Sequence, residues 1–207
     1  MKVLLINGSP RANGCTFTAL TEIAKILNAE GVQTEILQSG NKPVRDCIGC
    51  GGCKGKGKCV FGDDCVNEWI EKAYSADAFV FGTPVYYAHP TGRILSVLDR
   101  LFYAGGQAFE HKPAAVIASA RRAGTTASVD VLYKYLGIKQ MPIVTSSYWN
   151  AVHGNSPEEI YNDAEGMQTM HNIATNMAWL LKCIEAGKNS GICAPQNTVS
   201  VRTNFIR

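Results

Sequence analysis

The chain has 207 residues, a formal net charge of +3 and a hydrophobic fraction of 46%. This length suffices for one well-buried domain, and the composition excludes a disordered, collagen-like or mucin-like protein. We expect no membrane span, because no apolar run reaches about 20 residues. We expect no nucleic-acid partner either, because no long Lys/Arg block occurs. The N-terminal apolar segment is too short for a signal peptide, so a cytoplasmic protein is expected.

Short apolar runs with the length of β-strands are separated by longer stretches of helical periodicity. The predicted strands are residues 3–6, 32–37, 78–82, 114–120 and 141–144. The predicted helices are residues 15–29, 66–76, 91–104, 125–137 and 156–187. Asp63 or Asp64 is the expected cap of the second helix. In the last helix Ser156 is the expected N-cap, with Glu159 at the N3 position.

Strands that alternate with helices predict an α/β fold, with helices on both faces of a parallel sheet. The simplest arrangement is a flavodoxin-like, doubly wound sheet of five parallel strands in the order 2-1-3-4-5. We assign residues 1–187 to this domain, with a cysteine-rich insertion at about 45–62, and residues 188–207 to a C-terminal tail. Ligands of such folds bind beyond the carboxyl ends of the strands.

The segment GSPRANGCT, residues 8–16, follows the first strand and leads into the first helix. Backbone amides at a helix N-terminus, together with hydroxyl groups and a guanidinium, suit a phosphate monoester. The side chains that supply these groups are those of Ser9, Arg11, Thr16 and Thr18. Gly8 and Gly14 allow the backbone to bend close to a ligand. The alternative is a turn that merely leads into a helix.

Two further loops follow the third and fourth predicted strands, so all three loops are expected at one edge of the sheet. Residues 84–87, PVYY, predict a stiff turn with flat side chains that suits a planar heterocycle. Arg121, Arg122 and the amides near Gly124 would stabilise negative charge on a bound ring. The alternatives are tyrosines that cover a strand end and arginines that are only solvated.

Taken together, the three loops resemble those of the flavodoxin-like NADPH-dependent FMN reductase superfamily, over nearly the whole chain. The resemblance implies an FMN cofactor whose phosphate is held by Ser9, Arg11, Asn13, Cys15 and Thr16. Gly14 and Thr18 of the same segment are also expected to be cofactor-binding residues. It implies that the isoalloxazine is flanked by Pro84, Val85, Tyr86 and Tyr87. It implies that the pyrimidine side of the ring contacts Ser119, Ala120, Arg121, Arg122 and Gly124. NAD(P)H is the co-substrate that the resemblance implies.

Two residues near this edge carry separate expectations. Cys15 lies at a helix N-terminus, which predicts a lowered thiol pKa, although a neighbouring phosphate would oppose that effect. The segment YWNAVHG, residues 148–154, is expected to reach the same edge. There His153 is either a proton donor or a structural residue.

Four of the eight cysteines lie in the segment CIGCGGCKGKGKC. In a reducing compartment such crowding indicates metal or redox chemistry rather than disulfides. The spacing of Cys47, Cys50 and Cys53 matches the C-x2-C-x2-C of bacterial ferredoxins. The lysines and glycines before Cys59 favour an anionic thiolate cluster. Zinc and free thiols are the alternatives.

This segment also resembles the compact cysteine motif of the iron–sulfur flavoproteins, a branch of the same superfamily, at the same place after the second strand. The resemblance implies that Cys47, Cys50, Cys53 and Cys59 ligate one 4Fe–4S cluster. The remaining cysteines after this segment are expected to be core or surface thiols, namely Cys65, Cys183 and Cys193.

These observations predict an FMN-dependent oxidoreductase. Its electrons would come from NAD(P)H or a reduced redox protein of the ferredoxin type, and would pass to a quinone, flavin, nitro or azo compound or oxygen species. The alternative is an electron carrier between redox proteins, which the mild basicity and the long cysteine segment disfavour. A homo-oligomer, dimer or tetramer, is expected because the last helix is rich in apolar residues and residues 198–207 have strand character.

Overall fold

In the computed structural model, helices cover both faces of a single mainly parallel sheet. The structure describes residues 1–198, 200, 201, 203 and 205. The strands and helices, in chain order, are β1 (Lys2–Asn7), α1 (Cys15–Ala29), β2 (Gln33–Gln38), α2 (Val66–Tyr74), β3 (Ala78–Tyr86), β4 (His89–Pro90), α3 (Gly92–Gly105), β5 (Ala114–Ala120), α4 (Thr125–Ile138), β6 (Ala151–His153) and α5 (Ala164–Asn189).

The order of the sheet is β2-β1-β3-β5-β6, and all neighbours along this path are parallel. The short strand β4 lies off the path and pairs antiparallel with the end of β3. The five parallel strands therefore follow the predicted 2-1-3-4-5 path once β4 is set aside. The flavodoxin-like α/β fold that the sequence predicts is confirmed. The division into residues 1–187 and a tail stays a prediction.

The core consists of two apolar layers, one on each face of the sheet. Because successive side chains of a strand point to opposite faces, Leu4 and Ile6 enter one layer while Val3 and Leu5 enter the other. Helices α2, α3 and α4 cover the first layer, and α1 and α5 cover the second. Phe109 stacks against Phe102 in the first layer, with ring centroids 4.6 Å apart. Both faces of the sheet are thus buried, as a parallel sheet requires.

The predicted strand at residues 141–144 is wrong, and the fifth parallel strand is β6. At 141–144 the chain makes one isolated bridge, between Ile143 and Ala114. The two hydrogen bonds of this bridge run from the Ala114 N–H to the Pro142 carbonyl at 2.9 Å and from the Val144 N–H to the Ala114 carbonyl at 2.8 Å. Pairing does not continue beyond Val144, and the chain rejoins the sheet where Ala118 donates to the carbonyl of Asn150 at 3.0 Å.

The last helix begins later than predicted, at Ala164. The Ser156 hydroxyl accepts from the Glu159 N–H at 3.4 Å, but this bond precedes only a short 3-10 turn, Glu159–Asn162, whose N-cap is Glu158. Asp163 then departs from helical geometry, and its carboxylate accepts from the Gly166 N–H at 2.9 Å. Asp163 is therefore the N-cap of the long helix.

Several apolar residues of α5 pack within the chain, whereas Trp179 on the same helix is 66% exposed. Met170, Ile173 and Met177 are fully buried in the layer that α5 shares with α1. They therefore need no partner subunit, and the homo-oligomer stays a prediction. The predicted strand at 198–207 falls partly outside the described residues, since Val199, Arg202, Asn204, Ile206 and Arg207 are not described. In the part of the chain that the structure describes, no helix has the length and apolar character to cross a membrane.

Gly8, where β1 leaves the sheet, is required by close packing. Its N–H donates to the Gly82 carbonyl at 2.8 Å, and an added Cβ would lie 2.8 Å from that oxygen and from the Cβ of Ile94. We expect Gly8→Ala to lower the free energy of unfolding by about 1–3 kcal/mol, measured by urea denaturation. Gly92→Ala, which enters open space at the start of α3, is the control and should cause no loss. Equal losses in the two variants would contradict this explanation.

Candidate functional site

Three segments meet at the carboxyl edge of the sheet, and together we call them the three-loop edge. They are residues 8–18 after β1, which include the first turn of α1, the β3–β4 hairpin at residues 84–90, and residues 121–124 after β5. The hydroxyls of Thr16 and Ser119 lie 2.8 Å apart and share a hydrogen bond, which joins the first segment to the end of β5. The backbones of the other two segments touch, because a Cβ on Gly124 would lie 2.4 Å from the Cα of Ala88.

The first segment ends in the open N-terminus of α1. Gly14 is the N-cap, and the first helical hydrogen bond runs from the Thr18 N–H to the Gly14 carbonyl at 3.0 Å. The amides of Cys15, Thr16 and Phe17 precede that bond, and the first turn carries no acidic side chain. Such a helix end attracts anions through its free amides and its dipole.

Buried polar side chains fix the conformation of this segment. Ser9 is buried, and its hydroxyl accepts from the Arg11 N–H at 3.1 Å. Asn7, at the end of β1, is fully buried and accepts from the Ser9 N–H at 3.1 Å, and its amide group contacts Gln38. The side chains of Arg11 and Asn13 are exposed. The backbone is therefore fixed while the two longer side chains lie at the surface.

Two predicted residues of this segment take part in other interactions. The Thr18 hydroxyl donates to the Gly14 carbonyl at 3.3 Å, one turn back along α1. The Cys15 thiol donates to the Gly154 carbonyl at 3.7 Å. Burial raises the pKa of Cys15 above its usual range, so the lowered pKa expected from its position is wrong. Desolvation raises this pKa more than a backbone hydrogen bond and the nearby charge of Arg11 lower it.

The second segment is a tight hairpin, in which β3 extends into residues 84–86, where the sequence predicted a stiff turn after the strand. Strand β3 continues through Tyr86, which pairs with His89. The two residues between them, Tyr87 and Ala88, have φ values of 51° and 58°. A two-residue turn with both φ values positive matches the twist of paired strands, at a cost in backbone strain for residues other than glycine. Tyr87 is fully exposed at the tip.

Two buried threonines tie the hairpin to the first segment, and sequence patterns did not reveal them. Thr91 caps α3 by accepting from the Ile94 N–H at 3.2 Å, and it donates to the Gly8 carbonyl at 3.2 Å. The Thr83 hydroxyl accepts from the Thr91 N–H at 3.2 Å. A Ser/Thr before a helix signals a cap, but its second bond depends on the tertiary fold.

The third segment presents positive charge beside a helix start. Ser119 and Ala120 are buried at the end of β5, and Arg121 and Arg122 are exposed. Gly124 is the N-cap of α4, with a φ of 91°, a left-handed conformation that favours glycine. The absence of a Cβ on Gly124 also leaves room for the close approach of the hairpin, since an added Cβ would lie 2.8 Å from a methyl carbon of Val85.

His153, at the end of β6, is held by Asp163. The Asp163 carboxylate accepts from the His153 N–H at 2.7 Å, and the same oxygen lies 3.3 Å from the imidazole Nδ1. Tyr148, Trp149 and His153 line a cavity of about 290 Å³ beside α4. Asp163 therefore both caps α5 and orients the only histidine found beside this cavity in the described chain.

The cysteine segment borders a second cavity, of about 440 Å³, which we call the cysteine cavity. Cys47, Cys50, Cys53 and Cys59 all line it, and α3 supplies the opposite wall. Gly49 and Gly51 have φ values of 64° and 68°, so the short gaps between the first three cysteines depend on glycine. Within the described residues, no three His, Cys, Asp or Glu side chains lie close enough together to hold a single metal ion.

The backbone of Cys59 is fixed by Asn67 of α2. The Asn67 amide accepts from the Cys59 N–H at 2.8 Å and donates to the Cys59 carbonyl at 3.0 Å. Cys65, nearby, is half-buried, and burial raises the pKa of its thiol to about 11, so it stays protonated at neutral pH. Cys183 and Cys193 are exposed. The cysteines outside the quartet thus have the environments expected of core and surface thiols.

The chain matches a known protein family and a set of known relatives in sequence. Residues 1–156 match the NADPH-dependent FMN reductase family. An iron–sulfur flavoprotein of Methanocaldococcus jannaschii is 31% identical over 193 residues, which cover 89% of this chain and all of that protein.

Two solved structures share the fold. RosB, solved with bound 8-demethyl-8-formylriboflavin-5′-phosphate, superposes with a TM-score of 0.67 at 16% identity and covers 100% of this chain and 92% of that one. A flavodoxin from the domain Archaea superposes with a TM-score of 0.61 at 12% identity and covers 88% and 99% of the two chains. On the strength of the family match and the archaeal relative, the chain belongs to the NADPH-dependent FMN reductase family, in its iron–sulfur flavoprotein branch.

Proposed function

We propose that the chain binds FMN at the three-loop edge and passes electrons through it, from NAD(P)H or a reduced redox protein to a small-molecule acceptor. The observation that carries this proposal is the contact among the three segments. Thr16 bonds to Ser119, and Gly124 packs on Ala88, so a helix N-terminus, a hairpin and a basic loop lie side by side. Acceptors of this class are quinones, flavins, nitro or azo compounds and oxygen species.

The first segment fits the phosphate of FMN. Its open amides belong to Cys15, Thr16 and Phe17, and Ser9 and Thr16 add hydroxyls at the same helix end. Arg11 and Asn13 are exposed and able to close over a dianion. A terminal phosphate is the natural ligand of a helix N-terminus, which favours FMN over FAD.

The other two segments fit the isoalloxazine ring. When bound, FMN supplies hydride and single-electron chemistry at its N5 atom. Tyr86 and Tyr87 offer flat surfaces on the hairpin, beside Pro84 and Val85. Arg121 and Arg122 place positive charge next to the amides that follow β5, which would stabilise negative charge on the pyrimidine side of the ring.

We also infer that the cysteine cavity holds a 4Fe–4S cluster, ligated by Cys47, Cys50, Cys53 and Cys59. When bound, such a cluster takes up and releases single electrons, which would connect two-electron donors to one-electron partners. Two facts support the fit: all four thiols border one cavity, and glycines with positive φ turn the chain between them. The C-x2-C-x2-C spacing favours a cluster over zinc, which usually takes two separate C-x2-C pairs.

An electron carrier without its own small-molecule substrate is the second candidate. Cys50, Lys54, Lys56 and Lys58 are all exposed beside the cysteine cavity, a position that a partner protein could approach directly. A redox protein of the ferredoxin type is the partner class that this surface suggests.

Steady-state oxidation of NADH or NADPH distinguishes the oxidoreductase from the electron carrier. FMN-loaded, anaerobically prepared protein is expected to oxidise NADH or NADPH in the steady state when a quinone is added, because the exposed hairpin tip at Tyr87 would leave a ring bound beside it open to substrates. The measurement is the loss of absorbance of the reduced nicotinamide. The same preparation without quinone is the control. Reduction of bound FMN only by a reduced redox protein, with no turnover of either nicotinamide, would favour the carrier.

The phosphate assignment is tested by a double variant at the first segment. Ser9→Ala with Arg11→Ala should weaken FMN binding by about 2–4 kcal/mol, because two contacts to a dianion are lost. The measurement is flavin fluorescence titration. Riboflavin, which lacks the phosphate, should bind both proteins equally. Lys25→Ala removes a positive charge further along α1 and serves as the control. Unchanged FMN affinity in the double variant would refute the assignment.

The cluster assignment is tested by iron content. Anaerobically reconstituted protein should hold about four irons per chain and show broad absorbance at roughly 400 nm beyond the flavin bands. Cys50→Ser should abolish both signals, because it removes one ligand, while FMN stays bound. Cys183→Ser, at an exposed thiol on α5, is the matched control and should keep both. Wild-type protein with FMN and no iron would exclude the cluster.

A further inference from the structure

Arg100 of α3 is a fully buried arginine beside the cysteine cavity, with 1% of its side chain exposed. Its Nε donates to the Cys59 sulfur at 3.2 Å. Its two Nη atoms donate to the carbonyls of Arg45 and Phe61, each at 3.1 Å, and to both carboxylate oxygens of Asp64. These acceptors match the five N–H groups of a guanidinium, so every donor is used.

These five hydrogen bonds hold the Arg100 guanidinium in a single orientation. Asp64 is itself buried, and its two oxygens bind the two Nη atoms, which fixes the plane of the fork and supplies the countercharge. The remaining N–H, on Nε, then points at the sulfur of Cys59. Four contacts would suffice to anchor the neighbouring loop, and the fifth reaches a thiol that borders the cavity.

Cys59 is the cysteine of the quartet that most needs such a contact. The five residues Lys54–Lys58 separate it from the other three, and Gly55 and Gly57 within them have φ values of 71° and 64°. Asn67 holds its backbone, but the backbone alone does not set the direction of the side chain. Arg100 contacts the sulfur itself and so determines where the sulfur lies.

We propose that Arg100 is a positioning residue for the cluster. It holds the Cys59 sulfur at the cavity as the fourth ligand, and its N–H···S hydrogen bond raises the reduction potential of the cluster. The proposal rests on the proposed function, in which Cys59 is a cluster ligand. One electron enters the cluster on reduction, no bond to Arg100 forms or breaks, and the proton stays on Nε. The added negative charge is stabilised by a donor on sulfur and by a buried cation.

Removal of the Asp64 charge should shift the reduction potential of the cluster in the direction opposite to removal of Arg100. The Asp64 carboxylate neutralises the guanidinium, so removing that charge leaves the positive charge of Arg100 uncompensated next to the cluster. A structural brace alone would give no such opposition, because loss of either partner would loosen the same loop. The signs of the two shifts therefore separate tuning of the potential from support of the loop.

The experiment uses anaerobically reconstituted, FMN-loaded protein. Arg100→Lys keeps a charge but loses the fork, Arg100→Gln loses both, and Asp64→Asn removes the countercharge. Arg93→Gln is the matched control, since Arg93 lies on the same helix about two turns earlier and contacts the carbonyl of Lys42. The measurements are iron per chain, bound FMN and the cluster midpoint potential from a titration monitored by electron paramagnetic resonance.

We expect a lower potential in both Arg100 variants, with the larger shift in Arg100→Gln, a higher potential in Asp64→Asn and no shift in Arg93→Gln. Loss of iron in an Arg100 variant that still binds FMN also supports the positioning role, and Asp64→Asn then reports the sign of the tuning. Arg100 variants that keep about four irons and the wild-type midpoint potential would overturn this inference but leave the proposed cluster intact. Shifts of the midpoint potential in the same direction in the Arg100 variants and in Asp64→Asn would do the same. Wild-type protein that binds FMN without iron overturns the proposed cluster first.

Discussion

The parallel pairing of β1 between β2 and β3 is the constraint on which the candidate flavin site depends. This pairing brings the ends of all three strands to one edge, where Asn7 lies in register with Gln38 and Gly82. Asn7 then fixes the segment that leads into α1, through its contacts with Ser9 and Gln38. A shift of one residue would turn every side chain of β1 to the opposite face and remove Asn7 from this position.

The cysteine cavity depends on a different kind of interaction, a buried ion pair. Cavities of this kind cannot rely on apolar packing alone, because four thiols and a turn-rich backbone must be held around open space. Arg100 and Asp64 satisfy several backbone and side-chain groups at once, so the cost of burying two charges is offset by a full set of hydrogen bonds. Asn67 satisfies the backbone of Cys59 in the same way.

Much of the fold could be predicted from the sequence, because a buried parallel strand and an amphipathic helix each have a clear apolar pattern. The same pattern failed at residues 141–144, where Pro142 interrupts an otherwise apolar run, and β6 is too short to be recognised. The start of α5 was missed because Ser156, the predicted cap, precedes a separate short 3-10 turn instead of the long helix. Backbone twist, rather than composition, decided the hairpin at Tyr87 and Ala88.

The site was predictable only where motifs are local in sequence. The glycine-rich first segment and the cysteine spacing could be read directly, whereas Asn7, Thr83 and Thr91 act through partners far away in the chain. Helix α3 shows the consequence. It contacts the first segment through Thr91 at its start and the cysteine segment through Arg100, about 13 Å further along the axis. An insertion of one residue between them would rotate Arg100 by about 100° away from Cys59. Surface loops accept insertions and deletions, but this stretch of helix must keep its length.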